Sequence, residues 1–184
     1  MKSAPALLPK QQWLEVVERT PLVSIDLVVT NARNEVLLGW RNNKPAQHCW
    51  FVPGGVVRKG ETLQQAFERV VLDELGVGTQ LRRKALFDGV YEHHYTDNFA
   101  GLPGVATHYV VLAHRLNAEQ HLPGLGGLDH LPKAQHNDYV WMPVAELLNN
   151  PQVHEHTKAY FQELVNDQQQ QPRNPCNSMR RLRH

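Results

Sequence analysis

At 184 residues the chain is long enough for one sizeable core, since a domain of roughly 150 residues buries about two thirds of its unfolded surface. Hydrophobic residues make up 41% and charged residues 20%, proportions that exclude a disordered chain. A formal net charge of +1 supplies no basic field of the kind that nucleic acid or a membrane surface requires, so neither is expected as a partner and any anionic ligand has to be held locally.

The start, MKSAPALLPK, breaks its apolar run at Pro5 and Pro9 and lacks a signal-peptide core. No stretch approaches the ~18 apolar residues of a membrane span. Cys49 and Cys176 are far apart and suggest neither a disulfide framework nor a metal site, so a reducing cytoplasm is the expected location. Residues 11–19 read as a short helix. Pro21 then forces an extended start to LVSIDLVVT, where Val23, Ile25, Leu27 and Val29 alternate as in a strand. The turn NARNE leads into EVLLGW, and the two strands are expected to pair as a hairpin.

A polar loop, RNNKPAQHC, and an apolar WFVP precede GGVVRKGETLQQAFERVVLDELGV. In that segment Leu63, Ala66, Phe67, Val70, Val71 and Leu75 recur at steps of three and four, which describes one amphipathic helix stopped by Gly76. LRRKALFDGVYEHHY and ATHYVVLAHRL are strand-like. A glycine- and proline-rich loop over 117–135 leads to a short strand, YVWM, and VHEHTKAYFQELV is a closing helix. From Asp167 onward almost nothing is apolar, so one domain over 1–166 and a disordered polar, arginine-bearing tail over 167–184 are expected. Mixed strands with one central and one late helix give an α/β sandwich with a mixed sheet rather than a doubly wound parallel one.

The glycine turn followed by an acidic helix has chemical content. Glu61 lies at the loop-to-helix junction, and Val70, Asp73 and Glu74 occupy neighbouring positions on adjacent turns. Carboxylates gathered beside Gly54 and Gly55, whose backbone can approach a ligand closely, make a hard oxygen site suited to Mg²⁺. Residue by residue, the same carboxylates read first as the wet face of an acidic helix. The complete spacing is what points to a site.

That spacing, a glycine, five residues, Glu61, seven residues, Arg69 and then DELGV, resembles the signature of the Nudix hydrolases. The resemblance implies an α/β/α sandwich, a divalent metal, and substrates built as a nucleoside diphosphate linked to another moiety. Two departures stand out: Val70 replaces the family's glutamate directly after the arginine, and Asp73 with Glu74 replaces a pair of glutamates. A narrower set of blocks, TPLVSIDLVV, RNNKPAQHCWFVPGG, AFERVVLDELG, YEHHYTDNF, THYVVL and QHNDYVW, is similar over about residues 7–160 to the GDP-mannose mannosyl hydrolases, a branch whose box lacks that glutamate.

This narrower resemblance implies Mg²⁺-dependent hydrolysis, with Mn²⁺ able to substitute, of GDP-mannose or GDP-glucose to GDP and the free sugar. Water attacks the anomeric carbon with inversion, and the base belongs at the sugar end while metal and arginines belong at the diphosphate. By the same matching His136 is the general base, and Gly54, Glu74 and Gln135 hold the metal. Arg41 and Arg69 neutralise the leaving group; Asp26, His93 and Tyr109 line the sugar and phosphate end. Leu7, Leu8 and Trp13 cover the nucleobase, often across a homodimer interface.

Several residues carry a second reading. Arg69 can brace carboxylates of its own helix, Glu61 can cap and anchor the loop, Trp13 and Tyr109 can pack in the core, and His154 with His156 can be solvated. His93 and His94 should face opposite sides of a strand, which argues against a metal shared between them. Val56 stands where relatives often carry an arginine. Two rival functions remain open: a Nudix pyrophosphohydrolase cleaving the diphosphate itself, with Asp73 and Glu74 taking over from the missing glutamate, and a catalytically silent module that binds a nucleotide sugar.

Overall fold

The computed structural model of the chain describes residues 8–78, 85–125 and 127–170. Leu7 and residues 171–184 of the expected tail lie outside them, while residues 167–170 of that tail fall in the last helix. Pro9 precedes a first helix, α1 (Lys10–Arg19), and Pro21 separates it from β1 (Leu22–Thr30). There follow β2 (Glu35–Arg41), β3 (Trp50–Phe51), β4 (Gly54–Val56), α2 (Leu63–Leu75), β5 (Leu86–Tyr95) and β6 (Thr107–Asn117). The chain then forms α3 (Ala118–His121), a 3₁₀ turn (Leu128–His130), β7 (His136–Pro143), α4 (Val144–Asn149) and α5 (Glu155–Gln170). Among the described residues no helix is long and apolar enough to cross a membrane.

The strands form a mixed sheet in the order β3-β2-β1-β6-β5, with β7 added to β2 and β4 to β1. β1 is its axis. It runs parallel to β6 from Leu22↔Tyr109 to Thr30↔Asn117. Its other edge is divided: Ser24, Ile25 and Asp26 face Val56, Gly55 and Gly54 of β4, whereas β2 meets β1 only at Thr30↔Val36. The expected hairpin therefore closes at its turn, where Asn31 N donates to Glu35 O at 3.0 Å, and then opens. β2 gives its length instead to β7, from Val36↔Met142 to Gly39↔Tyr139.

Two apolar layers explain the opening. Ile25, Leu27, Val29 and Leu37 pack under α2 with Phe67, Val70 and Val71. Val28, Val36 and Leu38 pack on the other face with Leu147, Val153, Tyr160 and Phe161 from α4, α5 and the turn between them. β1 is thus buried on both faces from Ser24 to Val29, and Val23, expected to share the inward set, is exposed. Helices on both faces of a mixed sheet make the α/β/α sandwich of the sequence reading.

The central helix is sharply bounded. Thr62 Oγ1 accepts from Gln65 N at 3.2 Å, the Gln65 side chain accepts from Thr62 N at 2.9 Å, and Gly76 ends the helix at φ 69°. This capping box and left-handed stop fix which residues of α2 face the sheet. The inward stripe is Ala66, Phe67, Val70, Val71, Glu74 and Leu75. Glu74 is its charged member and sits one turn beyond Val70, at the helix end beside the sheet opening.

Candidate active site

Where β2 parts from β1 a cleft opens, walled by Ser24 and Asp26, Arg41, Phe51, Gly54 to Val56, His93, Tyr95, Tyr109 and Gln135. Asp26 is buried and accepts a hydrogen bond from Tyr160 Oη at 2.7 Å. Burial pushes its carboxyl up to about 6, against the opposing pull of that bond and of the Arg41 guanidinium. Gly54 lies opposite Asp26 on β4, and a Cβ there would stand 2.4 Å from Asp26 Oδ1. A side chain at this position would crowd both the Asp26 carboxylate and the Ile25 carbonyl, so the close approach requires glycine.

Behind Gln135 is a second buried group. Glu74 Oε1 accepts from Gln135 Nε2, and Glu74 Oε2 lies 3.5 Å from His136 Nδ1. Burial pushes the Glu74 carboxyl up to about 7, with Arg41 opposing and the negative charges of Asp73 and Asp26 adding to the rise. His136 has no exposed surface and is held neutral, at about 3, by burial and by the charge of Arg41. Its Nδ1 also lies 3.4 Å from Tyr139 Oη, and its Nε2 is buried with no hydrogen-bond partner among the described residues. A Cβ at Gly39 would meet the His136 ring at 2.4 Å, so this glycine is reserved for the imidazole. The sequence places His136 at the end of a loop; the structure makes it the first residue of β7, paired with Arg41 on β2, because that pairing extends the ladder below YVWM.

The opening glycine segment is held by Arg69. Its Nε donates to Glu61 Oε1 at 2.6 Å, its Nη2 to Glu61 Oε2 at 2.9 Å and to the Val56 carbonyl at 2.7 Å, and its Nη1 to Asp73 Oδ2 at 3.3 Å. Glu61 also accepts from Arg58 N at 2.8 Å. Of the two readings for Arg69 this geometry is the bracing one, and Glu61 is the loop anchor. Val70 is wholly buried in the core, and a Cβ at Gly55 would come within 3.1 Å of it. Position 70 points down beneath the glycine loop.

His93 is buried on the cleft wall, with Nε2 3.3 Å from Tyr160 Oη, and burial holds it neutral at about 3. Its ring stacks on His156 with centroids 4.2 Å apart. His154 packs against Phe51 and Tyr95. These two histidines were expected to be solvated; His154 precedes α5 rather than lying on it, and the turn folds both rings back onto the sheet. Trp13 packs against Phe99 in a cluster that includes Tyr109, and Leu8 is exposed.

The structure thus gathers Asp26, Arg41, Gly54, His93, Tyr109 and Gln135 on one cleft, with Glu74 and His136 directly behind it, and keeps Arg69, Trp13 and Leu8 out of its wall. Sequence reasoning missed Tyr160, Tyr95 and Gly39. The demand of Asp26 for a buried partner was the available signal for Tyr160; nothing local marked the other two. Chemically, the Gly54 carbonyl, the Glu74 and Asp26 carboxylates and the Gln135 amide offer oxygen donors around one opening. Buried carboxylates pushed up in pKa lack a compensating cation, and a hard divalent ion is the group that such a donor set suits.

A family model for the NUDIX domain matches residues 20–164. The chain is 42% identical over 107 residues to the low-salt glycan biosynthesis protein Agl8 of Haloferax volcanii, covering 58% of this chain and 65% of that protein. It is 37% identical over 57 residues to the ADP-ribose pyrophosphatase of Methanocaldococcus jannaschii, covering 31% of this chain and 33% of that protein. The matches therefore span less than two thirds of the length of these curated relatives. Among solved structures, the MutT protein from Methanosarcina mazei Go1 superposes with a TM-score of 0.60 at 17% identity, over 82% of this chain and 97% of that one. The NUDIX domain of Shewanella oneidensis NrtR complexed with ADP ribose superposes with a TM-score of 0.53 at 18% identity, over 86% and 99%. At these identities the superpositions bear on the fold alone.

Proposed function

The chain belongs to the Nudix hydrolases, and on that premise we propose that it hydrolyses a nucleoside diphosphate sugar of the GDP-mannose or GDP-glucose kind to GDP and the free sugar. The observation that carries this reading is the environment of α2: Val70 is sealed in the core, so no side chain of position 70 serves the metal or the attacking water, while Glu74, Gln135 and His136 meet one turn further on. The likeness to a protein named for glycan biosynthesis supports a sugar-bearing substrate.

Gly54, Glu74 and Gln135 would hold Mg²⁺, which when bound supplies charge stabilisation to the diphosphate. The protein's own part is divided between two ends of the cleft. The charge of Arg41 bears on Asp26, Glu74 and His136, and in this reading it neutralises the departing GDP. Asp26, with its Tyr160 bond, accepts sugar hydroxyls. Water adds to the anomeric carbon as the bond to the diphosphate oxygen breaks; the leaving group takes the bonding pair and the water proton goes to a base. With Nδ1–H turned to Glu74, the free Nε2 of neutral His136 is that acceptor. His136 has no exposed surface, so its imidazole reaches such a water only if the groups packed around it move.

A second reading rests on the complete burial of His136. As a fixed partner of Glu74 it would support the metal ligand, and hydrolysis would occur at phosphorus, as in a pyrophosphohydrolase using Asp73 and Glu74. Turnover of GDP-mannose in ¹⁸O-water decides between them by mass spectrometry of the products. Label in the sugar is the expected result; label in a phosphate-containing product overturns the proposal.

A further inference from the structure

On the face of the β5–β6 pair turned away from the cleft lies another set of ligating side chains, Glu92, His94 and His108. The strands alternate. His93, Tyr95 and Tyr109 line the cleft, whereas Glu92 and His94 lie two apart on the opposite face of β5 and His108 sits directly across from His94 on β6. The His94 and His108 rings lie 4.2 Å apart. Glu92 Oε1 is 3.8 Å from His108 Nε2, and one donor atom from each of the three residues lies within 4.8 Å of the others. His108 Nε2 is buried with no hydrogen-bond partner among the described residues. His94 and His108 also form part of the wall of a cleft bounded by Val17 to Pro21, at the end of α1.

From this geometry we propose a second metal site, for a borderline divalent cation of the zinc type, held by Glu92, His94 and His108. Donors about 2.0–2.1 Å from a tetrahedral ion stand roughly 3.4 Å from one another, so the Glu92–His108 separation needs only a small side-chain rotation. Two imidazoles and one carboxylate select zinc-like ions over Mg²⁺, which prefers oxygen donors and keeps its waters. Three protein ligands leave a fourth position facing solvent at the cleft. The site is independent of the catalytic reading, because it uses none of its residues. It does lie back to back with the substrate wall: His94 and His108 are chain neighbours of His93 and Tyr109, and they pair at the end of the ladder where the 96–106 connection leaves both strands.

The test uses the full chain, free of any affinity tag and stripped of metal by chelation. It carries Glu74→Gln to disable the first site and is kept in excess Mg²⁺. Zn²⁺ is titrated calorimetrically and Co²⁺ by visible absorption. One Zn²⁺ per chain is expected, with the intense bands of a four-coordinate Co²⁺ centre. His94→Ala and His108→Ala should each weaken binding at least the ~10-fold that follows loss of even an outer-shell partner, and Glu92→Gln should weaken it less. His94 is exposed, so its variant should keep the parent urea midpoint and serve as the decisive one. No Zn²⁺ uptake, or uptake unchanged in both histidine variants, overturns the proposal. So does uptake abolished by His154→Ala or His156→Ala alone, which would place the ion in the other histidine cluster.

Discussion

Glu74 joins the electrostatics of the cleft to its metal chemistry. An ion has to displace a proton from a carboxyl held at about 7, so binding competes with protonation below that value and is free of the competition above it. His136, held neutral at about 3, does not titrate in this window. Mg²⁺ affinity is therefore expected to be about tenfold weaker at pH 6 than at pH 8, measured by calorimetry, and in Glu74→Gln the dependence should shrink to the part contributed by Asp26, held at about 6. Equal affinities in the wild-type chain would remove Glu74 from the ligand set. The candidate role of Glu74 is legible in the sequence from the box spacing. Its raised pKa is not, because that arises first from burial, which the packing of α2 on the sheet decides, and then from the charges of Asp73 and Asp26.

At the level of elements, α2 is the best-read part of the chain, since its stripe and its Gly76 stop are local signals and both appear in the structure; the N-cap is Thr62 with Gln65, one residue beyond the Glu61 expected there. What periodicity leaves open is how deep the stripe goes. Val70 lies in the core under Gly55, so restoring a glutamate there would bury a carboxylate among Ile25, Leu27 and Phe67. Val70→Glu is expected to lower stability by about 3 kcal/mol or more, read from the urea midpoint. A variant as stable as the parent would mean that the side chain escapes to the surface. β1 was harder to read. Its apolar alternation is real on the α2 face, but a strand with helices on both sides is apolar throughout, and Ser24 and Asp26 within it face the cleft.

For the whole molecule, the layer under α5 reaches the cleft at Asp26, which shares its face of β1 with Val28. Tyr160 of that layer donates from its hydroxyl to Asp26 on β1, and its carbonyl accepts from Arg115 of β6 at 2.6 Å. Tyr160→Phe would leave a buried carboxyl without its donor. An expected loss of about 1–3 kcal/mol in chemical denaturation follows, together with a further rise of the Asp26 pKa visible by NMR titration. A change in neither would make the contact incidental. No sequence pattern joins residues 134 positions apart, which is why the layers were legible and this contact was not.

The long parallel register of β1 and β6 also bears on how the chain is made. A ribosome releases β1 well before it has polymerised residues 107–117, so the axial strand emerges with no permanent neighbour on that edge. Of the elements that pack on its buried run from Ser24 to Val29, β4 and α2 precede β6 along the chain. The second half of synthesis then closes the sheet around a strand that has been waiting since the first.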